Sequence, residues 1–433
     1  MDIITVLESG YSVGTNMVNY TNEARALDYP IPAERYQEPD PGEGLFILFY
    51  APEIGMKEKF DFSTDVLTLK SGRERRASRR YLPRIKYDFT LEVFDDSTRS
   101  KLDNKLYGSL DTPIMLPLWL QETPTANAII EGQRTVTLTD ADNIDVSEGH
   151  YILVYDTEDN YSVFIVQSVA ANIITTTSAA LKEFPEGTSV MPLRTCNTGQ
   201  NVTSSRYQVN GQTYTFNLTT TDIMTNIADE TGWNTYDGAL LLDGPNMMTD
   251  QKFKKNFFNA IEIVDNTSGV PKYYSDYTVS NVISTKAFKV TGIEDIWTLR
   301  KLMYALRGKQ KAFWLPNFDK NFELYSDITN GDSIISIADC GYTKYISGTI
   351  GTKAIRINKT DGTSVIRKVL SSDVREGFEQ LSLDSAITED IPITSVANME
   401  FLEKVRSDTD SMSLKYENNI EAKLLLTTRT VIE

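Results

Sequence analysis

The residues that most often carry out nucleophilic or metal chemistry are scarce in this chain. Its 433 residues include one histidine, His150, and two cysteines, Cys196 and Cys340. A zinc site needs three or four ligands, and a Ser-His-Asp or Cys-His site would have to use His150, so neither kind of site is predicted. His150 stands at the entry to a predicted strand, where we expect a surface position, and we expect Cys340 to be a small buried or semi-buried residue. Two isolated thiols indicate no disulfide framework.

Carboxylates are the remaining source of enzymatic chemistry. The chain has 60 acidic residues, so pairs such as Asp95 with Asp96 and Asp140 with Asp142 arise by chance. They stand in predicted turns or at a helix start, where capping explains them. A glycosidase would need two carboxylates across a cleft, a placement that this pattern does not give. We therefore predict that the protein is not an enzyme and has no catalytic residue, cofactor or metal.

One basic cluster interrupts an acidic chain. The formal net charge is −17 and the isoelectric point is near 4.7, so the overall field repels nucleic acid. The stretch KSGRERRASRR is the one local exception, and we interpret it as an exposed loop or as a patch that pairs with an acidic neighbouring subunit. The interface candidates in it are Arg73, Arg75, Arg76, Arg79 and Arg80.

Aromatic residues allow a second class of function. The chain has 22 Tyr, 18 Phe and 4 Trp, and exposed aromatic side chains on β modules stack on sugar rings. The alternative is that they belong to strands and cores, which favour aromatic residues. Glycan or receptor binding therefore stays open beside a structural role.

Two similar stretches indicate the architecture. IMLPLWLQ (114–121) and KAFWLPNF (311–318) each follow a helical pattern and join a Trp to a Pro. Trp119 and Trp314 are therefore predicted to occupy equivalent, packed places in two copies of one domain. The helices before them have apolar residues at helical spacing. These residues correspond between the two copies at an offset of 197, as Leu102 and Leu299 do.

The repeat extends over most of the chain. Each copy reads as strands, a helix, the Trp-Pro strand, a β-rich insertion and a closing hairpin, with Asn210-Gly211 and Asn418-Asn419 at the two turns. The fold class predicted is mainly β with a few helices: internally duplicated β-sandwich domains, each with an inserted small β-barrel or sandwich module. The predicted parts are an extended arm (1–42), a first β domain (43–125 plus 200–225), its inserted module (126–199), a second β domain (226–328 plus 400–433) and its inserted module (329–399).

The first copy resembles the minor tail proteins of tailed bacteriophages. The resemblance is carried by TDVL (64–67), Gly72, ERR (74–76), Pro83-Arg84 and LPLW (116–119), and by the EGTSVMPLR ending of the insertion. These motifs are structural and moderately specific, and the second half matches only as a diverged copy. The resemblance implies a distal tail, hub or adaptor protein at the tail tip or baseplate.

What that resemblance implies about assembly is a ring. Such a subunit would contact the tail tube, the hub and the fibres, and a duplicated chain would form a homo-oligomeric trimer or hexamer. The resemblance also implies that both β domains are tail-tube-like and that the protein has a place in the virion tail. We expect assembly in the host cytoplasm, because the first residues lack a basic region followed by an apolar core. Neither nucleic-acid binding nor membrane insertion is expected.

Overall fold

Alternating apolar and polar residues dominate the sequence, and strands dominate the structure. In the computed structural model, the described part of the chain contains 26 strands and three α-helices. The predicted mainly-β class is therefore confirmed. The structure describes residues 46–52, 55–69, 71–108, 112–199, 201–207, 211–222, 233–243, 254–259, 261–275, 280–347 and 354–432. The predicted arm (1–42) and Asn210 of the first closing hairpin lie outside these residues.

The first half of the chain, defined here as residues 46–222, contains twelve strands and one helix among its described residues. The helix α1 is Asp96–Gly108. The strands are β1 (Phe46–Ile47), β2 (Lys57–Thr68), β3 (Glu74–Val93), β4 (Ile114–Pro117), β5 (Thr123–Pro124), β6 (Thr135–Thr137), β7 (Tyr151–Thr157), β8 (Asn160–Ala170), β9 (Ile173–Thr176), β10 (Ser189–Asn197), β11 (Thr203–Arg206) and β12 (Gln212–Thr220).

The second half, defined as residues 233–432, contains fourteen strands and two α-helices among its described residues. Its helices are α2 (Ile293–Leu306) and α3 (Tyr342–Tyr345). Its strands are β13 (Thr235–Tyr236), β14 (Ala239–Leu240), β15 (Lys254–Phe258), β16 (Ile261–Val264), β17 (Lys272–Ser275), β18 (Asn281–Thr291), β19 (Ala312–Pro316), β20 (Ile334–Ala338), β21 (Ala354–Lys359), β22 (Ser364–Arg375), β23 (Phe378–Leu383), β24 (Val396–Ser407), β25 (Ser411–Tyr416) and β26 (Glu421–Thr430).

The strand registers show that the two halves are built alike. β3 pairs antiparallel with β12 so that Val93 faces Gln212, and β18 pairs antiparallel with β26 so that Val290 faces Ala422. The counterpart of a β3 residue is thus 197 positions later, and that of a β12 residue is 210 positions later. The same offset of 197 relates the β2–β3 pair Lys57 and Asp88 to the β15–β18 pair Lys254 and Thr285. This register repeats along the strands, so the halves share one topology.

The helices form where the sequence predicts them. In α2, the predicted apolar face, which includes Leu299, Leu302 and Met303, is buried. In α1, Leu102 is buried, and the Asp95 carboxylate accepts a hydrogen bond from the Thr98 amide at 2.7 Å, which caps the helix. No helix in the described part of the chain is long and apolar enough to span a membrane.

Each half carries an inserted β module with its own hydrophobic cluster. The cluster of the first module runs from Ile129 to Val190, and that of the second runs from Phe322 to Met399. Equivalent isolated bridges close both modules, Ile129 to Phe184 in the first and Ile328 to Ile391 in the second. The insertions are therefore copies of one unit.

The two predicted tail-tube-like domains share one core. A single apolar cluster joins first-half residues such as Leu48 and Phe60 to second-half residues such as Leu302 and Phe313. A chain of 433 residues is long enough for two domains that each bury a core of their own. The halves instead bury their apolar faces together, because α2 and the strands of both halves face the same interior.

The predicted equivalence of the two tryptophans is wrong. Leu48 N–H donates to Met115 O at 2.9 Å, and Leu242 N–H donates to Trp314 O at 2.9 Å, so Trp314 corresponds to Met115. Trp119 lies beyond β4 in a short 3-10 turn (Trp119–Gln121) and is only half-buried. The repeated Leu-Pro pair sets the true alignment. Trp314 comes just before its Leu-Pro pair in the sequence, whereas Trp119 comes after its own pair.

Trp314 should nevertheless be essential for folding. It is fully buried on β19 and packs edge-on against Tyr236 at 5.2 Å between ring centroids. We expect Trp314→Ala to lower the free energy of unfolding by about 3–5 kcal/mol. Trp119→Ala is the matched control, and it should cost clearly less because its ring is only half-buried. Urea denaturation measures both, and equal losses would contradict this account.

Candidate functional site

The site with the most unusual chemistry is the junction between the halves. Strand β2 of the first half pairs antiparallel with β25 of the second half, and the register places Lys57 opposite Lys415 and Lys59 opposite Ser413. Both strands form because apolar residues alternate along them, as the buried Phe60 and Phe62 do in β2. The two halves are therefore joined by backbone hydrogen bonds and not only by side-chain packing.

This pairing makes one continuous run of eight antiparallel strands. From one end to the other the order is β11, β12, β3, β2, β25, β26, β18 and β15. The first four strands belong to the first half and the last four to the second. Since β11 corresponds to β25 and β2 to β15, the run is one four-stranded unit repeated head to tail.

A buried ion cluster lies directly beneath the β2–β25 pair. The Arg300 guanidinium on α2 donates to both oxygens of Glu58 on β2, with Nε–Oε2 at 2.9 Å and Nη2–Oε1 at 2.8 Å. The Tyr416 hydroxyl on β25 donates to Glu58 Oε2 at 2.7 Å, and the Tyr87 hydroxyl donates to Oε1 at 3.3 Å. Glu58 is 1% exposed and Arg300 is 3% exposed. The carboxylate is thus satisfied by donors from both halves.

The first module is tied into the same cluster. Arg300 also pairs with Asp145, which lies in the loop before β7, and Asp145 is 3.9 Å from the guanidinium of Arg194 on β10. Arg194 in turn pairs with Asp222 at 3.0 Å, just beyond β12. The chain of alternating charges therefore connects the first half, its module and the second half.

The pKa values in the cluster show which protonation states it stabilises. Burial alone raises the pKa of Asp145, but the attraction of Arg300 and Arg194 and the hydrogen bonds outweigh it, so the net pKa lies below the ordinary 3.8. Burial lowers the pKa of Arg300, and the attraction of Asp145 and Glu58 reverses this to a net increase. Burial, followed by the Glu58 charge, holds the pKa of Tyr87 and Tyr416 well above 10. Near neutral pH these pKa shifts favour the charged forms of Asp145 and Arg300 and the neutral phenols of Tyr87 and Tyr416.

A second buried ion pair holds the end of the first-half hairpin. Beyond Asp61 the β2–β3 hairpin extends as an arm, and Arg73 at its tip forms a parallel bridge with Ile432. Glu74 accepts two hydrogen bonds from Arg406 on β24, at 2.7 and 2.8 Å, and the two side chains are 6% and 4% exposed. The arm is therefore clamped onto the second half.

Asp410 and Gly308 complete the contact between the halves. The Asp410 carboxylate accepts hydrogen bonds from the amides of Thr64 in the first half and Lys309 in the second, both at 3.0 Å. Gly308 follows α2 with φ +63°, and a Cβ there would come within 3.1 Å of the Phe62 Cβ and 2.6 Å of Asp410 Oδ1. The end of α2 can approach the first half this closely only because residue 308 is glycine.

The basic cluster is a strand and not the loop that we expected. Strand β3 begins at Glu74, so the arginines alternate between the two faces of the arm. On one face Arg79 pairs with Asp65 at 2.7 Å. On the other, Arg80 is half-buried and donates to the carbonyl oxygens of Asp61 and Phe62, both at 3.2 Å. The solvent-exposed members are Arg73, Arg75 and Arg79, and the half-buried members are Arg76 and Arg80.

The structure corrects the expected exposure of two of the residues that sequence reasoning weighed for catalysis. His150 is buried, contrary to our expectation, and its Nδ1 lies 2.7 Å from the Ser147 hydroxyl. Cys196 is buried and burial raises its pKa, whereas Cys340 is exposed and not buried as predicted. Asp140 accepts a hydrogen bond from the Asp142 amide at 2.9 Å, as expected of a turn residue. No cluster of potential metal ligands occurs in the described part of the chain.

A cavity of about 340 Å³ offers little chemistry either. Lys311 is the one ionisable residue among the described residues that line it. The full lining is Trp233, Thr235, Gly238, Ala239, Leu240, Ala305, Leu306, Lys311 and Ala312. The absence of enzymatic activity stays a prediction, and the junction is the site that the geometry favours.

Sequence reasoning missed the residues at the centre of the junction. Glu58 alternates with Phe60 and Phe62 on the buried face of β2, and Arg300 lies among the leucines of the α2 face. A charged residue on an apolar face needs a buried partner of opposite charge. That rule could have marked both residues, but only the structure could pair them across 242 positions.

Two sequence comparisons with known proteins were without a match. No protein-family model matches it, and no curated protein is significantly similar in sequence. Its function must therefore be inferred from the residues and the geometry described above.

Removing Arg300 should destabilise the whole protein. Arg300→Met leaves Glu58 and Asp145 buried with less compensation, and we expect the free energy of unfolding to fall by about 3–5 kcal/mol. The control is Lys301→Met, the next residue on α2, which is exposed and should change the value by less than about 0.5 kcal/mol. Chemical denaturation at neutral pH measures both. Similar values for the two variants would mean that the cluster does not hold the halves together.

The cluster should also make stability fall in acid. Because the pKa of Asp145 in the folded protein lies below its ordinary 3.8, its contribution is present above pH 3.8 and is lost as the pH falls through the folded value. The free energy of unfolding measured down to pH 3 should decrease more steeply for the wild type than for Asp145→Asn. Parallel curves would show that Asp145 does not contribute to the acid sensitivity.

Proposed function

We propose that this protein is a structural subunit of a bacteriophage tail tip or baseplate, forming part of a ring that connects the tail tube to the hub or to receptor-binding fibres. The observation that carries the proposal is the head-to-tail junction, in which one four-stranded unit continues into its copy through β2 and β25. A chain built in this way already contains one contact that joins successive four-stranded units. The same contact can be used again between chains.

The sequence motifs support the same proposal. The TDVL segment lies on β2, Gly72 is in the turn of the arm, and LPLW begins on β4. All three segments belong to the first half, whose arm contacts the second half of the same chain. The signatures that resemble minor tail proteins therefore lie in a part that makes contacts between units, which suits a protein of assembly.

Chemistry in the described residues favours assembly over turnover. Two buried ion pairs, Glu58 with Arg300 and Glu74 with Arg406, join the halves. The module aromatics considered for glycan binding include the buried Phe164, Phe184, Phe322 and Tyr342, which pack in the module cores. Receptor binding by the modules stays the alternative, and the structural role is the better supported.

Labelling tests the proposed place in the virion. An antibody against the purified chain, imaged on particles of the phage that encodes it, should mark the tail end away from the capsid. Adsorbing the antibody with the purified chain is the control and should abolish the signal. A signal on the capsid, or on no particle at all, would overturn the tail-tip proposal.

A further inference from the structure

The eight-stranded run ends in two strands that correspond to the pair joined at its centre. In the described part of the chain, β11 pairs only with β12, and β15 pairs only with β18. Their counterparts β25 and β2 pair with each other. An open strand edge presents unpaired backbone donors and acceptors to any partner strand of suitable shape. The open edges of β11 and β15 therefore correspond to the edges of β25 and β2, which pair with each other.

Side-chain exposure shows that the β15 edge lacks a cover that its counterpart has. Phe60 on β2 is 0% exposed because the second half covers it, with Tyr304 packed edge-on at 5.3 Å. Phe257, 197 positions later on β15, is 74% exposed, and the adjacent Phe258 is 48% exposed. Apolar side chains that are buried at the internal junction are thus open to solvent at the end of the run.

The second-half arm repeats this contrast. β16 and β17 pair with Ile261 opposite Ser275, which is the β2–β3 register of Thr64 opposite Ser78 shifted by 197. The first-half arm is clamped by Glu74 and Arg406, whereas every residue of β16 and β17 is exposed. The exposed apolar side chains of this arm are Ile261, Ile263, Val264, Val270, Tyr273 and Tyr274.

The charged residues at the two ends of the run are also complementary, with their signs exchanged relative to the internal junction. At the internal junction the acid Glu58 on β2 meets the base Arg300 on α2. Their counterparts are a base, Lys255 on β15, and an acid, Asp103 on α1. Within the chain Lys255 pairs with the partly exposed Asp319, and Asp103 accepts a hydrogen bond from Tyr214 at 2.7 Å. The pairing of opposite charges is kept while both signs are exchanged, so the ends attract each other.

We propose that β15 of one copy pairs antiparallel with β11 of a second copy and so repeats the internal junction between chains. The register of β2 with β25 then predicts that Asn256 faces Thr203 of the next copy, because Lys59 faces Ser413. The exposed second-half arm lies along the next copy, and Lys255 lies near its Asp103. This interface deepens the proposed function, on which it rests for its place in a tail ring. Because the contact is head to tail, its repetition gives a closed ring or an open filament.

Disulfide trapping tests the register. Lys59 and Ser413 lie midway between the hydrogen-bonded pairs, so their counterparts are at a closely spaced position suited to a disulfide. In a Cys340→Ser background, Asn256→Cys with Thr203→Cys should give a ladder of covalent oligomers under mild oxidation. The control is Asn256→Cys with Ser204→Cys, which moves one cysteine to the opposite face and should give little product.

The outcomes separate this interface from the tail-tip proposal. All four substituted positions are exposed, and unfolding curves will show that the variants fold. Equal yields from the matched and control pairs, or monomer from both, would overturn the interface. Non-covalent oligomers that the matched cysteine pair fails to cross-link would also overturn the interface, and they would leave the tail-tip proposal standing. An antibody signal away from the tail would overturn the tail-tip proposal and would leave the interface between copies standing.

A charge exchange gives a second readout of the same interface. Asp103→Lys and Lys255→Asp should each weaken association by about tenfold, and the two together should restore it. Sedimentation of the folded variants measures the association constants. Failure of the double variant to recover would contradict the contact between these residues.

Discussion

The fold depends on a carboxylate and a guanidinium that neither half can bury alone. Glu58 belongs to the first half and Arg300 to the second, and each is buried only because the other half covers it. An unpaired charge in this interior would cost several kcal/mol, so separation of the halves is strongly opposed. The shared apolar core, the β2–β25 ladder and the clamped arm follow the same boundary. The duplication has therefore become one cooperative unit.

The same duplication explains why the two ends of the sheet differ from its centre. At the internal contact, aromatic and ionic residues such as Phe60 and Glu58 are buried. The contact that we propose between chains uses corresponding strand edges and a complementary charge pair, and its aromatic side chains are accessible in the single chain. A reversible contact between chains needs surfaces that are tolerable to water before association. The contrast between Phe60 and Phe257 fits that requirement.

Sequence reasoning reached the class of fold and the repeat but not the junction. Helical spacing predicted α1 and α2, since Leu102 and Leu299 face the core whatever the partner is. Strand alternation also predicted the mainly-β class. The arginine cluster was expected to be a loop because its alternation is polar on both faces, and only pairing with β2 makes it a strand. Trp119 and Trp314 were matched by composition, whereas the backbone register aligns Met115 with Trp314. The pairing of Glu58 with Arg300 depends on tertiary contacts that no local pattern encodes.

Electron cryo-microscopy of the purified chain would test the central claim most directly. The account predicts a head-to-tail assembly in which the β15–β11 contact between chains superimposes on the β2–β25 contact within each chain. Equal rotations at the two contacts would place the four-stranded units as regular neighbours in a ring. A two-fold dimer joined by other surfaces, with β11 and β15 both facing solvent, would contradict it.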